Sequence, residues 1–500
     1  MKKIVLVAFV LVLLSSTLIS KLPALVETHS ANIVVPDDYE RIQWAIGNAT
    51  DGDTILVRAG TYYEHVTIDK PISLIGENRT TTIIDANDES EAAIRIEASN
   101  ISINGFTIQN GGMHGVLCSN ERDIKIERNI IKDSFRGVCF WNSTNITLGD
   151  NIIEKNTHGI SLNWATSTEI AENTITENTF GIWLDNSNGI RVKENVIEEN
   201  RQDGLFVFCC NSTYIAHNII VGSPEYGMWL YKSSATAIIA NNFESNYVGI
   251  SLEWAFDYNI IACNVLSGNN AGIGLHQSSN NNILSDNIIT ESSIHGIGLA
   301  DSNENRIFGN TIANNSRGLT LSWESQDNII SNNNFINNTI QASSGEISAG
   351  PNTWDNGYPS GGNFWSDYAG VDFNSGRFQN ETGSDGMGDT PYVIYLENED
   401  KYPLMNPHIL PDMQPIYSEL YELLANYTEL QSKYDNLVAS YNSSQTELDD
   451  LQSKYNALTN ELNITRNIMY AFLITTIVFI ATTLYIVIRK PKVKPELKIT

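Results

Sequence analysis

Six aromatic residues, Trp141, Trp183, Phe206, Phe208, Trp229 and Tyr231, stand two or four places after a glycine that recurs ten times, from Gly115 to Gly318. The places between them, one and three after that glycine, hold Ile160 and Leu162, Ile182 and Leu184, and Leu319 and Leu321. In an extended segment alternate side chains point to opposite faces. If the aliphatic pair faces a core, the aromatic pair faces water. Trp164, Trp254 and Trp323 follow one place beyond, toward the end of the same segment. Aromatic rings spaced one strand apart make a flat apolar strip, and such strips mark contacts. Their faces suit stacking on sugar rings, which also present an apolar face rimmed by polar groups. Trp183, Phe206, Trp229 and Tyr231 are the expected binding strip, with Trp141, Phe208 and Trp254 at its margins.

The column four places after the glycine also contains Asp185, Glu253 and His276. Glu253 and His276 belong to neighbouring repeats, within reach for proton transfer. Asp185 lies three repeats from Glu253, about 14 Å at strand spacing. Glycosidase carboxylates stand roughly 5–9.5 Å apart. These three are therefore the catalytic candidates, and their spacing favours binding over turnover. Near the C-terminal side, Asp372, Asn374, Asp385 and Asp389 lie among glycines in a pattern that suits a hard cation such as calcium. The twelfth position counted from Asp372 is Gly383 rather than Glu, so no EF-hand is formed. A turn-rich segment with no resident cofactor is the expectation there.

What positions the strip is a repeat. One Asn recurs at 129, 151, 173, 195, 218, 241, 264, 287, 310 and 333, at intervals of 22 or 23 residues. Hydrophobic residues stand three before and two after it, as at Ile170 and Ile175. A second polar column follows five later, with Asn156, Asn178 and Asn200 and with Ser134, Ser223 and Ser292 in the gaps. Repeats of this length are stacked units that cannot bury an apolar face alone. Three short strands per unit predict a right-handed, three-sheet parallel β-helix. Identical amides one rung apart can hydrogen-bond along the stack. The recurrent Asn and Gly are expected to supply left-handed or tight backbone at the corners.

The flanks follow from composition. Lys2, Lys3 and the apolar run Ile4 to Leu14 predict a cleaved leader within residues 1–30. Residues 31–110 are read as an N-terminal cap with irregular first rungs. In it a short helix carries Ile42, Ala45, Ile46 and Ala49 on one face, with Asp37 and Asp38 expected to cap it. Regular rungs occupy 111–344, and an Asp-, Gly- and aromatic-rich terminal cap 345–412. Leu420, Leu423, Tyr427, Leu430, Tyr434, Leu437, Tyr441, Leu448, Leu451, Tyr455, Leu458 and Leu462 alternate at three and four, predicting a coiled-coil stalk over 413–466 and self-association. Residues 467–488 are long and apolar enough to span a bilayer, and the basic tail 489–500 puts the C-terminus in the cytoplasm and the β-helix outside. Twelve Asn-x-Ser/Thr sequons, among them Asn48, Asn142, Asn211, Asn380 and Asn463, lie on the external side and suit a glycoprotein.

A net charge of −28 removes the electrostatic footprint of a nucleic-acid binder. Cys118, Cys139, Cys209, Cys210 and Cys263 are odd in number and lack metal spacing.

Asn151 to Leu162, reading NIIEKNTHGISL, resembles the β-helix repeats of the pectin-lyase-like superfamily, and of its NosD-like group in particular, often called carbohydrate-binding and sugar-hydrolase domains. The opening from Ile33 to Gly60 is similar to how those proteins begin. The phrases GGNFWSDY (361–368) and DGMGDTPY (385–392) are similar to the ends of archaeal surface members that carry a stalk and an anchor. The resemblance implies polysaccharide binding, cleavage by a lyase or hydrolase, or copper-site maturation, since one fold hosts many functions. Superfamily hydrolases use Asn-Thr-Asp, Asp-Asp and Gly-His-Gly elements. Only the His-Gly part stands here, at His114-Gly115, His158-Gly159 and His295-Gly296, and those histidines are expected at solvent-facing turns. Seven Met and eight His, never in a tract, offer no soft-metal site. The reading that survives is a membrane-anchored surface protein that binds polysaccharide, glycan or an envelope protein without catalysis.

Overall fold

The computed structural model describes residues 32–87, 92–255, 258–345, 349–396, 398–409 and 414–488. The expected leader and basic tail lie outside them. The chain divides into two units after Leu423.

In the first unit the described strands form three parallel sheets of 14, 13 and 14 strands, each strand pairing with its counterpart one repeat away. The first sheet runs from Asn32–Val35 to Ile329–Ser331, the second from Val66–Ile68 to Ile340–Ser344, the third from Gly60–Tyr62 to Phe364–Trp365. The aliphatic columns fill the interior: Ile131, Ile153, Ile175 and Ile197 from the third sheet and Ile160, Leu162, Ile182 and Leu184 from the second are fully buried or nearly so. Each such residue rests on its equivalents above and below, so the core is a stack rather than a centre.

The asparagine column forms a ladder. Asn151 Oδ1 accepts the backbone N–H of Asn129 at 3.0 Å, while its Nδ2 donates to the Ile126 carbonyl at 2.8 Å and to Asn173 Oδ1 at 3.0 Å. The same backbone bond repeats to Asn333 and on to Asn363. A second ladder includes Asn156, Asn178 and Asn200, as the repeat predicts. A third, through Asn259, Asn282, Asn305, Asn328 and Asn352, does not stand out in the repeat pattern. These ladders satisfy the amides that turn inward where the chain leaves a sheet.

The corners are built differently from expectation. Neither the ladder Asn nor the recurrent Gly takes the left-handed conformation. The residue before the ladder Asn does, at Arg128 (φ 54°), Asp150 (φ 49°), Glu172 (φ 59°) and Glu194 (φ 57°). The glycine serves close packing instead: a Cβ at Gly181 would collide with the Gly204 carbonyl and meet Ile197 Cγ2 at 3.0 Å.

A helix, α1 (Ile42–Asn48), buries Ile42, Ala45 and Ile46. Asp37 and Asp38 do not cap it. Asp37 pairs with Arg58 at 2.6 Å and Asp38 accepts from the Val34 amide at 2.8 Å. The Glu64 carboxylate takes the free N–H groups of Ile42 and Gln43, at 3.0 and 3.1 Å. A partner 22 residues away in sequence does what a local capping box would do.

Past the last regular rung, Trp354 and Trp365 are buried, and the Trp365 ring stacks on Phe335 at 4.4 Å and on Tyr392 at 4.3 Å. Asp400 lies beneath them, accepting from the Asn363 amide at 2.7 Å, the Trp365 indole at 2.9 Å and the Tyr402 amide at 3.0 Å. Burial outweighs these bonds and pushes its carboxyl up to about 7.

The second helix, α2 (Gln414–Ile488), extends through the second unit. Within Ser443–Thr482 it has a segment long and apolar enough to cross a membrane. Leu437, Tyr441, Leu448, Leu451, Tyr455, Leu458 and Leu462, the described part of the seam, are all exposed on this helix.

Candidate functional site

The outward columns of the second sheet hold the aromatic residues where alternation places them. Strands Phe180–Asp185, Leu205–Phe208 and Tyr226–Tyr231 pair in register, setting Trp183 against Phe206 and Phe206 against Trp229. Their rings touch in sequence: Trp183 to Phe206 at 4.4 Å, Phe206 to Trp229 at 4.7 Å, Trp229 to Tyr231 at 5.6 Å and Phe208 to Tyr231 at 5.6 Å. Trp183, Trp229, Tyr231 and Phe208 are half-buried. Phe206, expected to face water, is only 6% exposed, because the two flanking indoles close over it. The strip is thus a continuous aromatic layer on the outside of the sheet.

Sequence reasoning missed half of that layer. The residue before the recurrent glycine begins the strand instead of lying in a turn, and its side chain folds onto the same face. Phe180 packs on Trp183 at 5.4 Å, Tyr226 on Trp229 at 5.1 Å, and His158 on Phe180 at 5.1 Å and Trp183 at 5.5 Å. This corrects the solvent-facing assignment of the histidines. His114, His158 and His295 open their strands half-buried, and burial holds each imidazole down to about 4. The signal was present in the sequence: Phe180 and Tyr226 occupy the same column as those histidines.

Beside the layer lies a row of exposed indoles. Trp141 and Trp164 face each other at 5.4 Å, and Trp164, Trp254 and Trp323 are 50%, 40% and 56% exposed. The last three adopt φ of 51°, 51° and 52°. That region costs a bulky residue roughly 1 kcal/mol or more where Asn or Gly would be at ease. The Trp254 indole donates to the Gln277 amide oxygen.

The titratable candidates divide. Glu253 and His276 sit on paired strands, facing the same side, and form no ion pair. Burial raises Glu253 and lowers His276, so both tend toward neutrality. Asp185 bonds to the Asn186 side chain at 2.6 Å and is separated from Glu253 by the strands of Phe208 and Tyr231. A carboxylate that sequence reasoning passed over is better placed. Asp203 precedes Gly204 in the histidine column, is 4% exposed, and is pushed by burial up to about 6 while accepting from the Tyr226 amide at 3.2 Å.

The cation candidates are already engaged. Asp372 accepts from Ser384 and from the Asp385 and Gly386 amides, Asp389 from the Phe373 and Asn374 amides, and Asp385 from Gly376 and Gln379. Asn374 donates its side-chain amide to Asp389 at 2.9 Å. These carboxylates organise turns. Among the described residues no three of His, Cys, Asp and Glu converge to hold a metal.

The comparisons agree with this architecture. Residues 92–243 match the family model described as right handed beta helix region, and residues 210–370 the model described as periplasmic copper-binding protein (NosD). With three parallel sheets wound through both stretches, the chain is a right-handed parallel β-helix protein. A cell surface glycoprotein of Methanothermus fervidus is 32% identical over 106 residues, 21% of this chain and 17% of that relative. The aligned stretch therefore spans well under two thirds of the relative. Similar solved structures include the mannuronan C-5 epimerase AlgE6 A-module of Azotobacter vinelandii (15% identity, 65% of this chain and 88% of that one, TM-score 0.38) and PfbA, a surface adhesin of Streptococcus pneumoniae (10%, 65% and 93%, 0.39). At those scores the likeness carries no information about substrate. Copper has no fit among the described residues, since no three of His, Cys, Asp and Glu converge and the buried Cys210 Sγ is engaged with the Ser187 amide and the Phe208 carbonyl.

Proposed function

We propose that this is a membrane-anchored cell-surface protein whose β-helix binds polysaccharide along the aromatic layer of its second sheet without cleaving it. One observation carries the reading: an unbroken run of rings, from His158 to Tyr231, covers the outer face of a sheet where polar side chains would serve solubility better. Sugar rings stack on such a surface, and the exposed Trp141, Trp164 and Trp254 extend it toward the corner. A surface location is supported by the glycoprotein relative and by the apolar stretch of α2. The basic residues after 488 favour a β-helix outside the cell with the C-terminus in the cytoplasm.

Catalysis is disfavoured by geometry. Asp185 and Glu253 are three rungs apart in register, about 14 Å, which exceeds any glycosidase pair. The competing reading, a lyase or hydrolase, draws its support from Asp203, a buried carboxyl poised to carry a proton beside the layer. The two separate in one assay. Full-length protein in detergent, offered a panel of neutral and acidic polysaccharides, is expected to retain one or more of them while producing no new reducing ends and no unsaturated product. Turnover that disappears in Asp203→Asn or Glu253→Gln would establish the enzyme instead.

A further inference from the structure

An outward column is free to vary from rung to rung, and on the third sheet one column does not. The residue after each ladder Asn points away from the core on ten successive strands, held in register from Ile130 to Asn334. Six of the ten are aliphatic and β-branched: Ile130, Ile152, Val196, Ile219, Val265 and Ile288. The others are Thr or Asn, so no charge interrupts the column. Ile219, Val265 and Ile288 are 44%, 40% and 47% exposed. Strand preference alone does not account for this, since Thr satisfies it and suits water better. Under the same preference the first sheet carries Lys125, Glu169 and Arg191 in its outward column. The neighbouring outward column of the third sheet is uncharged as well from Ser267 through Thr290 and Ala313 to Ile336.

The chain leaves the β-helix on this same face. Leu404 pairs with Phe364, in the last strand of the third sheet. His408 then lies on the outer side of the sheet, where Asn334 Oδ1 accepts its amide at 2.7 Å and Asn334 Nδ2 donates to its carbonyl at 2.9 Å. From Ile409 to Gln414, where α2 begins, the chain can span at most about 18 Å. Copies joined by the exposed seam of α2 are therefore tethered beside this face.

We propose that two copies of the chain pack their β-helices against each other through the outer columns of the third sheet. What covers the column must match a rung spacing of about 4.8 Å over roughly 43 Å, as a second rod of the same kind does. A copy also carries a net charge of −28, so it approaches most readily along a face free of carboxylates. The strip, about 43 Å by 10 Å, offers roughly 430 Å² per copy, about half of what a free-standing interface needs. The contact consequently depends on the seam, which raises the mutual concentration of tethered copies to about the millimolar range.

The test is cross-linking of the full-length protein in detergent with a short bis-maleimide. Cysteine is introduced as Val196→Cys, Ile219→Cys or Thr311→Cys, with Trp323→Cys as an exposed control away from the third sheet and the unaltered protein as blank. The expected result is that at least one third-sheet variant yields a covalent dimer about tenfold faster than Trp323→Cys. Adding Val265→Glu with Ile288→Glu should slow that linking about tenfold while the circular dichroism spectrum stays unchanged, because both residues point out of the core. Leu451→Asp with Leu458→Asp should slow it similarly by removing the tether. Linking no faster than the control at all three positions, in a parent that sediments as an oligomer, overturns the proposal and leaves the seam standing. Linking that ignores the two added carboxylates overturns it too, and a monomeric parent overturns both the contact and the seam.

Discussion

Trp183 and Leu184 are adjacent on one strand and point to opposite faces, so replacing each by Ala separates stability from binding. Leu184 is fully buried. Its truncation removes three carbons from a stack that cannot close the gap, at about 2–5 kcal/mol. Trp183 rests on Phe206, Phe180 and His158 at 4.4, 5.4 and 5.5 Å. Each such contact contributes roughly 0.5–1.5 kcal/mol beyond area, yet one side of the indole still faces water. The three together would give about 1.5–4.5 kcal/mol, and the water-facing side of the indole roughly halves that to an expectation of about 1–2.5 kcal/mol for Trp183→Ala. Guanidinium unfolding followed by far-ultraviolet circular dichroism gives both values, read as midpoints because a repeat array need not unfold in one step. Binding should invert the order. Loss of a stacking indole at the centre of a contact costs about 2 kcal/mol or more, roughly thirtyfold in affinity, while Leu184→Ala should leave affinity near that of the parent at temperatures where it stays folded. If Trp183→Ala unfolds as deeply as Leu184→Ala and binding does not change, the aromatic layer is a second core and the site is elsewhere.

Asn195→Ala should destabilise by about 3 kcal/mol or more, since Asn195 accepts two buried bonds from Asn173, donates a third to the Ile170 carbonyl and a part-buried one to the Lys193 carbonyl; a loss under about 1 kcal/mol in the same unfolding assay would show that water substitutes in the ladder. Asp400 titrates about 7 in the folded chain against about 4 unfolded, so its neutral form is the stabilising one below pH 4 and that contribution is lost as pH rises through 7. The melting temperature of Asp400→Asn should therefore fall furthest below the parent's at about pH 4, with the gap narrowing steadily as pH rises toward 8; a gap independent of pH would mean that Asp400 is ionised throughout. The exposed seam of α2 should associate with another copy, so full-length protein in detergent should sediment as an oligomer and Leu451→Asp with Leu458→Asp as a monomer; a monomeric parent would contradict the stalk.

The fold was legible because stacking forces repetition. A side chain pointing into the rod meets its own equivalent one rung away, so Ile153, Ile175 and Ile197 must suit each other, and the column shows in the sequence. The ladder Asn is visible for the same reason. The left-handed residue before it is not, because Arg128, Asp150, Glu172 and His217 share a backbone angle and nothing else. The recurrent glycine was visible, but its cause was misread: what forbids a side chain at Gly181 is the neighbouring rung, not the turn. The cap of α1 stayed hidden because Glu64 reaches it across the fold.

The site was only half legible, and the missing half follows from the same logic in reverse. Outward columns meet no equivalent that they must match, so Leu117, Cys139, Ser161 and Trp183 can occupy one column without cost. Selection on such a surface is free to write local patches, and a patch reads across columns rather than down them. Phe180, Trp183 and Phe206 lie in two columns and touch through side chains that lean toward each other. Periodicity analysis sorts residues by column and so divides what the surface joins. His158 was placed in a turn for that reason, and Asp203 and Tyr226 of the same column were passed over, although each borders the aromatic layer or belongs to it. In a β-helix the repeat reports the core, and departures from the repeat on one sheet report the surface that has been put to use.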